Sequence, residues 1–207
     1  MIWLPGILTA YAILIVGTLS PGPAVAMLLG IAAADGRRAA LVTCLGIAAG
    51  SMTLNMLTLA GIGLLLSQVS WAMTALKVFG TAYLVWLAWG AFRRAATPGT
   101  LAPTKATNRS TLARLAQGYA LQVTNPKAVG FWLAIAAVGA VATAPLPIIV
   151  LYVLGGGVLS FVGHAAWGIA LSSNPVQRGY ARARRGIEAT LGTIFAFAAF
   201  KLATSES

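Results

Sequence analysis

Acidic residues are almost absent from this 207-residue chain, which holds three Asp and Glu residues and only 8% charged residues in all. An average soluble domain has about 25% charged residues. Hydrophobic residues make up 59% of the chain, and its mean hydropathy is +0.87. Such a composition cannot cover a surface exposed to water, so the sequence predicts a protein that lies in a lipid bilayer.

Cysteine and histidine are each present once, as Cys44 and His164. A single cysteine excludes an internal disulfide, a dithiol redox relay and a metal site built from several cysteines. The sequence also lacks a phosphate-binding loop. It therefore predicts no metal site, no cofactor and no step driven by ATP.

Basic residues dominate the few charges and give the chain a formal net charge of +11. In a soluble protein this charge would suggest a nucleic-acid partner. Here the basic residues form short clusters between apolar runs, as they do in the loops of membrane proteins. The distribution favours a membrane protein over a nucleic-acid-binding protein.

Six apolar runs are candidates for membrane helices, because a helix needs about 20 residues to cross a bilayer. They cover residues 5–34, 39–66, 71–92, 115–142, 147–172 and 187–203. Residues 93–114, rich in Ala, Thr, Pro and Gly, form a linker between two sets of three runs. The sequence thus predicts one all-α transmembrane domain over residues 1–207, with repeats at about 1–92 and 115–207.

The basic residues also predict the orientation of the chain. Eleven of the fourteen Lys and Arg residues follow the first, third and fifth apolar runs. These are Arg37, Arg38, Arg93, Arg94, Lys105, Arg109, Arg114, Arg178, Arg182, Arg184 and Arg185. Because cytoplasmic loops carry the excess of basic residues, we expect a multi-pass protein of the bacterial inner membrane with both termini outside.

An internal repeat becomes visible when the second half is shifted over the first by 105 positions. Pro21 then meets Pro126, and Gly50 meets Gly155. Each half holds three predicted spans, so the two halves must cross the membrane in opposite directions. Inverted three-helix repeats of this kind are typical of secondary transporters.

Each half carries one proline motif inside a long apolar run. The motifs are Ser20-Pro21-Gly22-Pro23 in the first run and Thr124-Asn125-Pro126-Lys127 in the fourth. Proline suits the first turn of a helix, and Ser and Asn are favourable N-caps. We expect one helix to end and another to begin at each motif, so that proline breaks the first and fourth membrane helices. Two half-helix N-termini would then face one site near the middle of the membrane.

Lys127 gives this predicted site its chemistry. The positive end of a half-helix repels it, and a lysine at the bilayer centre costs about 3 kcal/mol on insertion scales. We expect no Asp or Glu deep enough in a span to neutralise it. An anionic group such as a substrate carboxylate would complete the arrangement. The alternative is two ordinary proline kinks, with Lys127 reaching toward an interface.

Several motifs, taken in order, resemble the LysE/RhtB family of amino-acid exporters. They are Ser20-Pro21-Gly22-Pro23, Gly36-Arg37, Gly46, Gly50, Leu76-Lys77, Gly80, Tyr83-Leu84, Asn125-Pro126-Lys127 and Gly192. The resemblance runs from the first to the fourth span, with Gly192 in the last. It implies a secondary transporter, not an enzyme, that exports an amino acid or amino-acid derivative from the cytoplasm by proton antiport.

One position departs from the family pattern. Members often carry an acidic residue just after the second glycine of span two, and here that residue is Ser51. No carboxylate remains there for a cationic side chain, so a neutral amino acid fits better than lysine or arginine. Its amine would be held by unwound backbone carbonyls and by Ser51 or Asn55.

Two ionisable residues are candidates for proton coupling. Asp35 has two interpretations, as a coupling group or as an ion-pair partner of Arg37 or Arg38 that fixes the first turn. His164 has Ser160 one helical turn before it. It is a candidate proton relay, a hydrogen-bonded structural residue, or the base of a Ser160–His164 pair in an intramembrane enzyme.

The expected partners are a small-molecule carboxylate or amino-acid substrate and the lipid bilayer. Gly46 and Gly50 form a small-xxx-small step that we expect to pack helices within the chain, and a homodimer stays open. A further alternative is an inorganic-cation exporter of similar fold. The predicted spans hold few residues that could bind such a cation.

Overall fold

The computed structural model describes residues 2–68, 72–97, 109–137, 141 and 144–204. Within these ranges the regular elements are seven α-helices. They are α1 Leu4–Leu19, α2 Pro23–Gln68, α3 Ala72–Ala96, α4 Thr111–Thr124, α5 Pro126–Ala137, α6 Leu146–Ala170 and α7 Asn174–Thr204. The all-α prediction is confirmed for these ranges, and half of the predicted linker, residues 98–108, lies outside the described residues.

The helices cover the apolar runs of the sequence. Among the described residues, two stretches could cross a membrane by length and composition alone, Pro23–Gly61 and Leu146–Ala170. Leu4–Leu19 and Pro126–Ala136 are shorter apolar helices. The first and fourth predicted spans are each divided in two, between α1 and α2 and between α4 and α5. Both breaks therefore lie at the prolines that predicted them.

Two predicted loops are helical. The first is reduced to a kink at Gly36, whose φ of 80° and ψ of 179° interrupt α2. Glycine tolerates this positive φ because it has no Cβ. The basic segment expected between spans five and six lies inside α7, which begins at Asn174 rather than near residue 187. Charged residues can extend a helix beyond the bilayer, so apolar length underestimates α7.

The part of α2 after Gly36 lies at the centre of the fold, packed between α4 and α6. Small residues allow the contact with α4: a Cβ at Gly46 would overlap the Leu115 carbonyl, and one at Gly118 would overlap the Thr43 carbonyl. The expectation that Gly46 packs helices within the chain is confirmed. α3 and α7 form a second pair, and α1 packs on α6.

Glycines matched by the 105-residue shift make corresponding contacts. Gly50 of α2 faces Gln122 of α4, and Gly155 of α6 faces Tyr11 of α1. Each glycine thus leaves room for the first part of a broken helix that belongs to the other half of the chain: α4 at Gly50 and α1 at Gly155. Both positions need glycine because a Cβ there would meet the neighbouring side chain, Gln122 or Tyr11.

The crossing of α2 and α6 is antiparallel and polar. The Ser51 and Ser160 hydroxyl oxygens are 2.7 Å apart, and Asn55 lies against Gly156. The shift by 105 exchanges these two contacts, because residue 51 corresponds to 156 and residue 55 to 160.

Two ion pairs connect the halves of the chain. Arg114 of α4 donates to Asp35 at 2.6 Å, and their side chains are only 4% and 11% exposed. Asp35 thus forms an ion pair, as one interpretation held, and the partner observed is Arg114. Arg94 at the end of α3 pairs with the buried Glu188 of α7 at 3.0 Å.

Candidate functional site at the two helix breaks

The first break spans three residues. Ser20 ends α1, and its backbone N–H donates to the Val16 carbonyl at 3.0 Å. Its hydroxyl turns back to the Gly17 carbonyl at 2.9 Å. The prediction that Ser20 caps the following helix is therefore wrong: Gly22 precedes α2 and accepts from the Ala26 N–H.

The second break is confined to one residue. Asn125 ends α4 and is 5% exposed. Its side-chain oxygen accepts the Lys127 backbone N–H at 3.1 Å, which makes it the N-cap of α5. Pro126 takes the first helical position, where its missing N–H has no consequence. The cap function predicted for Asn125 is confirmed.

The Lys127 side chain joins the two breaks. Its ammonium donates to the Ser20 carbonyl at 2.5 Å and to the Pro21 carbonyl at 3.3 Å. It also lies 5.9 Å from the centre of the Phe131 ring, at the limit of a cation–π contact. Instead of reaching toward an interface, the lysine binds the negative, C-terminal end of α1.

The surroundings of Lys127 correct one expectation. Buried Glu188 and its partner Arg94 both lie close enough to act electrostatically on the lysine. Arg94 binds this carboxylate at 3.0 Å. The sequence did not indicate that Glu188 acts on Lys127, because Glu188 lies in the middle of α7, a different helix from that of the lysine.

A small cavity lies beside the Lys127 ammonium. Its volume is about 30 Å³, close to the share of one water molecule in the liquid. It is lined by the predicted residues Ser20, Gly22, Asn125, Lys127 and His164, and by Thr18, Gln122, Phe131 and Trp132 among others. The two breaks and His164 therefore share one small cavity.

Ser51 and Asn55 lie behind this cavity, on the α2–α6 crossing. The Ser51 hydroxyl accepts from the Gln122 side chain at 2.8 Å and contacts Ser160. Gln122 itself lines the cavity. Asn55 is 1% exposed, and its side-chain nitrogen has no hydrogen-bond partner among the described residues. Ser51 thus supports the cavity wall through Gln122.

The remaining motif residues have separate surroundings. Thr124 is exposed, and its hydroxyl donates to the Ala120 carbonyl at 2.7 Å on its own helix. Pro23 and Pro126 are exposed, whereas Pro21 is buried. Asp35 lies with Arg114 at the kink of α2, in a different pocket. Of the two coupling candidates, only His164 lines the cavity of Lys127.

His164 is buried and bonded to its own helix. Its Nδ1 lies 2.8 Å from the Ser160 carbonyl, which can only accept, so Nδ1 carries a proton. The Ser160 hydroxyl instead contacts Ser51. A nucleophile–base pair requires a bond between the hydroxyl and the ring, and the observed geometry gives each group another partner.

Sequence reasoning missed Gln122, Thr18 and Phe131 as cavity residues. Gln122 carried a signal, because it is a polar residue in an apolar span, one turn before Asn125. Among the residues that the structure describes, no group of three or more His, Cys, Asp or Glu side chains could hold a metal ion. The donors at the cavity are amides, hydroxyls, an imidazole and an ammonium.

Long apolar helices, two of them broken beside a shared cavity that holds a lysine, are features of a helical membrane transport protein. The chain belongs to the LysE type translocator family, which matches it over residues 15–206. The resemblance inferred from the motifs is confirmed, and members of this family are membrane translocators.

Two relatives are membrane proteins. The uncharacterized membrane protein YahN of Escherichia coli K12 is 27% identical over 183 residues, which cover 88% of this chain and 82% of YahN. An uncharacterized membrane protein of Vibrio cholerae is 34% identical over 134 residues, or 65% of this chain and 62% of that protein. No solved structure matches the chain.

Proposed function

We propose that this translocator exports a neutral amino acid or amino-acid derivative from the cytoplasm, as a secondary transporter. The observation that carries the proposal is the Lys127 ammonium bound to the Ser20 and Pro21 carbonyls between two half-helix N-termini. A substrate carboxylate would bind the Lys127 side chain and the free N–H groups at the start of α2. The substrate amine would replace Lys127 at the two carbonyls.

The size of the cavity supports an occluded resting state. A volume of about 30 Å³ is too small for an amino acid. Substrate can bind only when Lys127 leaves the carbonyls and the Ser20–Gly22 segment moves. Such a movement is a natural first step of alternating access in transporters built on broken helices.

The walls of the cavity favour a neutral side chain. Leu14, Val25, Phe131 and Trp132 contribute apolar surface, and the described lining includes no carboxylate for a cationic side chain. Ser51, at the position where relatives often carry an acid, is bonded to Gln122. Asn55 has hydrogen-bonding capacity left and is a second-layer candidate for the substrate amine.

For coupling we favour proton antiport through His164 over Asp35. His164 shares the cavity with Lys127, so its charge would act directly on the bound substrate. Asp35 is paired with Arg114, a role that holds α2 to α4. The basic clusters support the bacterial inner membrane with both termini outside.

The matched contacts of Gly50 and Gly155 support two inverted three-helix repeats within one transporter domain. In that arrangement the pseudo-twofold axis passes through the crossing of α2 and α6, beside the cavity. The two half-helices α2 and α5 would then approach the substrate from opposite sides of the membrane. This is the geometry that alternating access requires.

Substitution of Lys127 tests the carboxylate site directly. We expect Lys127→Met to reduce export at least tenfold while the protein remains inserted, because the carboxylate loses its ionic partner. Lys127→Arg keeps the charge, but its planar head fits the two carbonyls poorly, so partial export is expected. The measurement is efflux of radiolabelled leucine, valine, threonine and alanine from loaded cells with matched protein levels.

The matching chemical control compares each amino acid with its amide, which lacks the carboxylate. We expect export of the acid and little export of the amide. Wild-type efflux by Lys127→Met, or equal efflux of acid and amide, would show that Lys127 is not a carboxylate ligand. The two prolines would then mark ordinary kinks.

A further inference from the structure

A larger groove, open at the surface of the described helices, lies between the end of α1 and one face of α7. Its volume is about 750 Å³, within the range of small-molecule sites. The α1 side consists of Val16, Leu19, Ser20 and Pro21. On α7 it is lined by residues at positions 182, 186, 190 and 194, which repeat every four residues and form one helical stripe. We call this space the α1–α7 cleft.

The α1–α7 cleft ends at the backbone of the first break. Ser20 lines both the cleft and the small cavity of Lys127. The Ser20 and Pro21 carbonyls are bound by Lys127. The unwound segment is thus a partition between the two spaces, and Lys127 is the group that holds it in place.

The face of α7 that lines the cleft adjoins the face that packs on α3, and Ile187 and Leu191 belong to both. Glu188 binds Arg94, Gly192 faces Phe92, and Phe195 belongs to the α3–α7 core. These residues lie roughly on the side of α7 away from Gly186 and Thr190, given 100° per residue. Packing against α3 therefore leaves the cleft open.

Charge is confined to one end of the cleft. Arg182 is its charged lining residue and is exposed. The other lining side chains are mainly aliphatic, such as Leu19, Ile187 and Ile194. A positive residue at the mouth of an apolar cleft raises the local concentration of small anions and zwitterions with apolar side chains. By the distribution of basic residues, this mouth faces the cytoplasm.

We infer that the α1–α7 cleft is the route by which substrate reaches Lys127 from the cytoplasm, with Arg182 attracting the carboxylate at its mouth. The inference rests on the proposed export of amino acids and specifies where they enter and which ones fit. The apolar walls select amino acids with aliphatic side chains. The Ser20–Gly22 segment opens when Lys127 exchanges its carbonyl partners for the incoming carboxylate.

Cysteine modification on α7 tests the route. Ala183 lines the cleft, whereas Ala181, two residues earlier and also exposed, does not. In a Cys44→Ser background, N-ethylmaleimide should lower leucine efflux at least fivefold in Ala183→Cys and leave Ala181→Cys unchanged. Leucine, but not leucinamide, should slow the modification of Ala183→Cys in the purified protein.

Kinetics of Arg182 variants provide an independent readout. We expect Arg182→Gln to raise the KM for leucine about threefold or more with an unchanged maximal rate, and Arg182→Lys to restore the KM, because only the charge is needed. Arg178→Gln, on the same helix but outside the cleft lining, is the matched control.

The outcomes distinguish failure of the proposed entry route from failure of the proposed carboxylate site. If Ala183→Cys is fully modified and exports normally, the route is wrong, even where Lys127→Met abolishes export and the carboxylate site stands. If a bismaleimide joins two copies at Ala183→Cys, the cleft is an interface between protomers and the inference is overturned. If leucine is not exported by the wild type but threonine is, the aliphatic selectivity is wrong.

Discussion

The two helix breaks differ in how their backbone is held. At the second break one residue separates two helices, and the Asn125 side chain caps the new helix at 3.1 Å. At the first break Ser20 turns back to α1, and the segment up to Gly22 is held from outside by Lys127. One break is thus fixed by its own side chain, whereas the other depends on a residue 107 positions away.

Because of this difference, we expect the two breaks to contribute differently to substrate binding. The capped break holds Lys127 rigidly at the start of α5. The uncapped break offers two carbonyls, and it can move when the lysine leaves. A transporter needs both properties, because the substrate must be bound firmly and then released to the other side.

Among substitutions at the two breaks, one that adds a side chain at Gly22 should reduce efflux the most. A Cβ there would lie 3.0 Å from Lys127 Cδ and 3.1 Å from its Nζ. We expect Gly22→Val to displace the lysine and lower leucine efflux at least tenfold. Gly61→Val is the control, because a Cβ at Gly61 meets nothing within 4 Å. Equal efflux by both variants would show that the carbonyl-bound lysine is not required for transport.

The prolines should have intermediate effects of unequal size. Pro21→Ala and Pro126→Ala both allow the backbone to approach a continuous helix. At the second break the Asn125 cap remains, so we expect Pro126→Ala to retain more efflux than Pro21→Ala. Adding Asn125→Ala to Pro126→Ala should remove the difference. The idea that the cap holds the second break fails if Pro126→Ala is the more damaging single change.

The smallest effects should come from the two polar side chains of the breaks. Removing an N-cap costs about 1 kcal/mol, so Asn125→Ala should lower the thermal midpoint of the purified protein. The Ser20 hydroxyl only bonds back to its own helix. We therefore expect Ser20→Ala to shift the midpoint less. The reverse order would mean that Ser20 supports the first break more than its single bond indicates.

Much of this fold was predictable because the bilayer imposes simple rules on a sequence. Apolar runs of sufficient length predicted the helices, and Pro21 and Pro126 predicted where two of them break. The extent of α7 was not predictable from hydropathy, because its first turns carry basic residues that water can solvate outside the membrane. The sequence predicted a turn at Gly36. It did not predict that this turn is a kink of one residue within a continuing helix.

The candidate site was only partly predictable. The sequence indicated Lys127 and Asn125 through their local motif, since capping and helix dipoles act within one turn. It did not indicate that Lys127 binds the Ser20 carbonyl, that Asp35 pairs with Arg114, or that Glu188 lies near the lysine. Each of these contacts joins residues from different helices.

By itself, the sequence determined a helical membrane protein of the LysE type translocator family with two proline breaks. Composition, periodicity and capping act along the chain, so they can be read from it. The tertiary structure alone decided which carbonyls face the lysine, which face of α7 stays open, and that Ser51 supports Gln122 instead of lining the cavity. Those contacts depend on how glycines such as Gly46 and Gly118 let helices approach, and close packing of that kind is set only when all helices are in place.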